Sequence, residues 1–96
     1  MRADYDSQAE ALSINLAKVD RWDDADPIDD TYCHVALRDG HPVNIELLNP
    51  RERLSLLEAV ADKYGLDAVA LRVAAEAALA GPDRPITLDV GSPAPA

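Results

Sequence analysis

Ninety-six residues carry 18 acidic against 9 basic side chains, a net charge of −9. That length suits one domain with a modest core needing neither metal nor disulfide, and the charge excludes a nucleic-acid binder, whose phosphates require clustered Lys and Arg. A lone cysteine excludes an intrachain bridge, and without a signal segment or a membrane-length apolar run a soluble, cytoplasmic protein with no membrane contact is expected.

Residues 2–6 read as a short strand, followed by a polar turn in which the Asp6 carboxylate can accept from turn N–H groups. Residues 11–16 alternate, with Leu12, Ile14 and Leu16 on one side and Ser13 and Asn15 on the other, so they form a half-buried strand that closes a hairpin with the first. Residues 17–30 hold six aspartates between Asp20 and Asp30, with Trp22 and Pro27 among them. So much Asp and Pro disfavours a helix or a central strand and predicts a loop or irregular edge. A calcium loop is not supported by the spacing, since the stretch has neither the D-x-D-x-D-G pattern nor its turn glycine, and a solvated acidic loop is the expected reading. Trp22 either folds back over the sheet edge or stays exposed as an anchor for a partner.

Residues 31–48 form the hairpin around which the chain is arranged. A three-residue loop, Arg38-Asp39-Gly40, with Gly40 left-handed, pairs Val35 with Val43 and Cys33 with Ile45. It gathers Cys33, Val35, Leu37, Val43, Ile45 and Leu47 on the buried face, which a one-residue slip would expose. A free cysteine there is expected to be buried and inert. Tyr32, His34, Ala36, Asn44, Glu46 and Leu48 fall on the other face, so the sheet is expected to be covered on one side only.

Asn49 and Pro50 predict a capped helix start. Helix 50–64 places Leu54, Leu57, Val60, Ala61 and Tyr64 inward, and Gly65 ends it in a left-handed C-cap. Asp67 caps a second helix to residue 80, stopped by Gly81 and Pro82. Seven of its fourteen residues from Asp67 are alanine. A helix apolar nearly all round is expected to bury a second face, most simply against another copy, through Val69, Val73, Ala77 and Ala80. Residues 84–90 can add a last strand, and 91–96 read as a disordered tail.

The two hairpins resemble a bacterial family of unknown function, the domain family numbered 2283. Its members open on Tyr-Asp-Pro-Glu-Ala-Asp-Ala-Leu-Tyr-Ile and close on Gly-Ile-Glu-Ile-Leu. The matching positions are Tyr5, Asp6, Ala9, Ala11, Leu12, Ile14, Ile45, Glu46 and Leu48. Ser7 stands for the turn proline, Glu10 for an aspartate, Ser13 for a tyrosine and Asn44 for a glycine. The resemblance covers about residues 3–50 and implies a small antiparallel sheet. It carries over no activity, although some members look like partners of toxin-like small proteins.

Chemistry has one candidate cluster, on the outward sheet face. His34 would lie opposite Asn44 with Glu46 diagonal to it, an acid/base pair on paper, with Tyr32 beside them and Ser13 as nucleophile. A flat, wet face lacks the dry concavity that gives such groups strength, and the chain has no phosphate loop, nucleophile elbow or Cys/His ligand spacing. Cys33 and His34 are strand neighbours on opposite faces and cannot share a metal. A helix-turn-helix reader is also disfavoured, because the second helix offers Arg72 alone to base edges.

The sequence therefore predicts an α+β domain over residues 1–90, divided into hairpins (1–49), a helical pair (50–80) and a last strand (84–90). Its antiparallel sheet has four strands, extendable to five, with two helices packed on one face. The expected function is that of a non-catalytic interaction module, antitoxin-like or accessory, that self-associates as a homodimer and takes a basic protein partner. Its expected ligand or partner surface is Trp22, Asp23, Asp24, Asp26, Tyr32, His34, Asn44 and Glu46. No catalytic residue, metal or cofactor is expected. The alternative is a small-molecule-binding or hydrolytic protein using the polar face around His34 and Glu46.

Overall fold

The structure, a computed structural model, describes residues 1–18 and 21–88. Strands β1 (Arg2–Asp6), β2 (Ala11–Asn15), β3 (Asp24–Asp29), β4 (Cys33–Arg38) and β5 (His41–Leu48) precede two helices, α1 (Ser55–Tyr64) and α2 (Ala68–Ala80), and a two-residue strand β6 (Ile86–Thr87). One antiparallel sheet runs β3-β4-β5-β2-β1-β6. It has six strands rather than four or five. The extra strand is β3, built from the acidic stretch.

The central hairpin keeps the expected division of faces by a different route. Asp39 and Gly40 both have positive φ, 52° and 80°, and close a two-residue turn that pairs Arg38 with His41 and Leu37 with Pro42. Asp tolerates the left-handed region, and a turn of this hand follows the twist of the strands it joins. The odd residue sits in the strand, not in the loop: the register shifts between Ala36 and Leu37, and Val43 is bulged out. Val35 therefore pairs with Ile45 and Cys33 with Leu47, two residues along from the expected partners but with the same side chains inward. Val43 is the exception. It is buried but stands outside the core cluster.

Across the sheet the inward side chains form two rungs. Ala3, Ile14, Ile45 and Val35 make one, and Tyr5, Leu12, Leu47 and Cys33 the other. All eight are buried, six of them besides Tyr5 and Ala3 as aliphatic or thiol side chains at 0% exposure. Leu57, Val60 and Ala61 of α1 and Leu71, Ala74, Ala75, Ala78 and Leu79 of α2 complete this core. Helix α2 lies over β1 and β2, while α1 packs on α2 and reaches β3. The alanines let α2 sit close to the sheet.

Strand β3 is tolerated in an aspartate-rich sequence because it is an edge. It pairs only with β4, its register shifts between Pro27 and Asp29, and proline and charge are features that keep an edge from recruiting further strands. At the opposite edge β6 makes two pairs with β1. The predicted strand 84–90 is thus shorter than expected, and its last two residues, like the tail 91–96, lie outside the described residues.

Two helix expectations are corrected. Asn49 is left-handed, with no side-chain cap bond, and Pro50–Glu52 is a turn of 3-10 helix, so α1 starts at Ser55. The Asn49 N–H is committed to the Glu10 carbonyl at 2.9 Å, which ties β5 to the β1–β2 turn, and the left-handed backbone at φ 49° and ψ 54° is not the extended geometry a capping residue needs. At its other end α1 closes as expected, with Gly65 at φ 66° and the Leu66 N–H returning to the Ala61 carbonyl, the reversed closure glycine permits.

Asp67 does cap α2: its carboxylate accepts from the Ala70 N–H at 3.1 Å. Asp67→Ala should cost about 1 kcal/mol of stability, read as a shift of the urea midpoint without a change in slope. Helix α2 is not buried all round. Val69 is 72% and Val73 43% exposed, Ala80 is exposed and Ala77 half-buried, so one apolar stripe faces away from the sheet.

Candidate functional site: the open sheet face

With both helices on one side, the sheet's other side is left open. Its rungs can be followed strand to strand. Asp4, Ser13, Glu46, His34 and Pro27 form one; Arg2, Asn15, Asn44, Ala36 and Ala25 form the next. His34 thus sits directly opposite Glu46, not opposite Asn44 as the three-residue loop required. Among the described residues no hydrogen bond or ion pair joins the two. The firmest contact on this face is an amide ladder, in which Asn44 Nδ2 donates to Ser13 Oγ at 2.9 Å and to Asn15 Oδ1 at 2.7 Å.

Trp22 approaches this ladder from the segment between β2 and β3. Its neighbour Asp23 is fastened to the central hairpin on two sides: the Asp23 N–H donates to the Leu37 carbonyl at 3.0 Å, and the Asp39 N–H donates to the Asp23 carboxylate at 3.1 Å. The indole remains 58% exposed, and with Ser13, Asn15, Val43, Asn44 and Glu46 it lines a shallow pocket of about 220 Å³. Both expected placements of Trp22 are therefore partly realised. It borders the sheet face and is still largely open to solvent.

The remaining predicted site residues divide into separate places. Asp24 is exposed, its carboxylate accepting from the Ala25 N–H. Asp26 lies on the helix side, at the end of the rung through Val35. There Lys63 Nζ approaches its carboxylate at 2.6 Å and the Tyr64 hydroxyl donates to it. Those two bonds, Lys63's first, hold the Asp26 carboxyl below the usual carboxylate range. Burial, with the bond to Asp26, pushes the Tyr64 phenol up to about 12. Tyr32 lies at the sheet end, under the Arg53 guanidinium, whose carbon is 3.6 Å from the ring centre, a close cation–π contact. Asp29 serves the turn: its carboxylate accepts from the N–H groups of Tyr32 and Thr31, both at 2.9 Å, and those bonds keep it ionised to lower pH.

Cys33 is buried as expected, and burial raises its thiol to about 11. A thiol so far from ionisation is a poor nucleophile. Among the described residues no group of His, Cys, Asp and Glu is arranged to hold a metal ion. A larger cleft, of about 500 Å³, lies between the β1–β2 turn and residues 83–85. Its walls mix Arg2 and Arg84 with Asp4, Asp6 and Asp83, and the Asp83 carboxylate is already engaged by the Ser7 hydroxyl at 2.6 Å and the Ser7 N–H at 2.8 Å.

Sequence reading gave Val43 to the core and so missed it as a pocket residue. Asp39-Gly40 was the available signal, because that dipeptide favours the two-residue turn and so requires a compensating bulge. Lys63 and Tyr64, as partners of Asp26, had no local signal; 37 residues separate Lys63 from that carboxylate, and only packing of α1 on β3 brings them together.

Fold and surface together define an α+β module with an open antiparallel sheet, one bare face and an exposed aromatic at the margin of that face. Comparison with family models, with curated proteins and with solved structures finds no match to this chain. Among the described residues no helix is long and apolar enough to cross a membrane.

Proposed function

We propose that this chain is a non-catalytic interaction module, antitoxin-like or accessory in role, which pairs with itself through α2 and receives a basic protein partner at Trp22 and the aspartates beside it. The observation that carries this reading is Trp22, kept 58% exposed on a segment whose backbone is fastened to the hairpin turn. An exposed indole followed by Asp23 and Asp24 supplies an aromatic anchor together with opposite charge for a basic surface. On α2, Val69, Val73, Ala77 and Ala80 offer a stripe that a second copy can cover about a two-fold axis.

The reading has two experimental arms. Light scattering on the purified chain should give about twice the 10.3 kDa mass, and Val73→Glu should return it to one; a monomer at all concentrations removes the self-pairing. A labelled oligolysine peptide should bind the chain, and Trp22→Ala should weaken it at least tenfold, as loss of a hot-spot aromatic of about 2 kcal/mol or more requires. Equal binding by wild type and Trp22→Ala, or none by either, defeats the partner surface.

A further inference from the structure

The pocket beside Trp22 has a chemistry of its own. At about 220 Å³ it is smaller than the roughly 300–1,000 Å³ clefts that enclose small-molecule ligands, so it suits one side chain better than a substrate. Its lining contains one formal charge, the Glu46 carboxylate, and no basic residue. Both amide hydrogens of Asn44 are consumed by Ser13 and Asn15, and among the described residues no hydrogen bond reaches the Asn44 carbonyl oxygen. Glu46 is exposed, and no ion pair engages it among the described residues. An aromatic residue, a carboxylate residue and an amide with an acceptor to spare thus line one small concavity.

From this we infer that the pocket is a receptor for an arginine side chain of the partner protein, the guanidinium stacking on Trp22 while its N–H groups bond to Glu46 and Asn44. The inference rests on the partner reading above and specifies its anchor. Arginine is the matching residue because its guanidinium is planar, always charged and offers several donors in one plane, whereas an ammonium is a compact, strongly hydrated point charge. The net charge of −9 adds a long-range attraction for a cationic segment, but only the pocket distinguishes arginine from lysine.

The chain's single tryptophan makes the test direct, since all indole fluorescence reports on Trp22. The intact protein is titrated with N-acetyl-arginine amide, with the uncharged near-isostere N-acetyl-citrulline amide and with N-acetyl-lysine amide. The arginine compound should perturb the emission and bind at least tenfold tighter than citrulline and several-fold tighter than lysine, and Glu46→Gln should lower its affinity about tenfold. Equal response to citrulline, or an arginine affinity untouched by Glu46→Gln, overturns the pocket assignment, as does the absence of any emission change. Oligolysine binding that depends on Trp22 alongside such a result would leave the partner surface standing and remove only its arginine anchor.

Discussion

Ile45→Ala should destabilise the protein by about 2–5 kcal/mol, the range for truncating a fully enclosed aliphatic side chain, and lower Tm by on the order of 10 °C or more. Ile45 is 0% exposed and occupies the middle of the rung Ala3, Ile14, Ile45, Val35, within the core cluster that the helices complete. Neighbours in such a position cannot collapse into the vacated space without moving strands on both sides, so the cavity adds to the lost transfer energy. Val43→Ala is the informative companion. Val43 is nearly as enclosed, at 4% exposure, but it stands on the bulge outside the core cluster, where Trp22 and the pocket edge can settle inward. Its truncation should cost clearly less. Equal losses at the two positions, measured by chemical denaturation at neutral pH, would mean that the bulge does not separate them.

Asp26→Asn should flatten the acid limb of the stability profile without abolishing it, since Asp29 and Asp83 are also held below the usual carboxylate range. Lys63 and Tyr64 hold the Asp26 carboxyl below its ordinary 3.8, so folding favours its ionised form. The stabilisation is full above that ordinary value and is lost as pH falls through the lowered one. Tyr64 acts at the other end, with its phenol raised from 10.0 to about 12 by burial and by the neighbouring carboxylate. Its contribution is complete below about 10 and disappears as pH rises through about 12. The tie between β3 and α1 therefore operates across the whole neutral range and loosens at both extremes. Thermal melts over a pH series should show Asp26→Asn below wild type at neutrality and converging on it in strong acid. Ultraviolet titration of the same variant should find Tyr64 ionising at lower pH than in wild type. A gap between the two proteins that stays constant into strong acid would exclude ionisation of Asp26 as its source.

Much of the architecture was legible because it depends on neighbours in sequence. The alternation of Leu12 and Ile14 with Ser13 and Asn15 orients β2 without reference to any other strand, and the Asp6 turn closes as its residue types require, the carboxylate accepting from the N–H groups of Gln8 and Ala9 at 3.0 and 3.1 Å. The stop at Gly65 and the cap at Asp67 were equally local. The bare sheet face was legible for the same reason, since polar side chains on alternate positions cannot face a core. Less of the candidate site could be read. Trp22 and Glu46 occupy separate segments, and the pocket they share depends on where the fold sets Trp22 beside β2 and β5.

Composition and periodicity alone determined the α+β class, the aliphatic set beneath the helices apart from Val43, and the acidic surface, because burial and charge are properties of side chains at fixed spacing. Only the tertiary structure decided where the hairpin's odd residue goes. A two-residue turn with a bulge at Val43 and a three-residue loop both put Val35, Ile45, Cys33 and Leu47 inward; the Asp39-Gly40 dipeptide favours the first, strict alternation through Val43 favours the second, and the fold resolves that conflict by bulging Val43. The acidic stretch became a strand for a reason equally remote from its own sequence. Lys63 and Tyr64, brought in by α1, supply an aspartate at a sheet edge with the opposite charge and the hydrogen bond that its neighbours in the chain cannot provide.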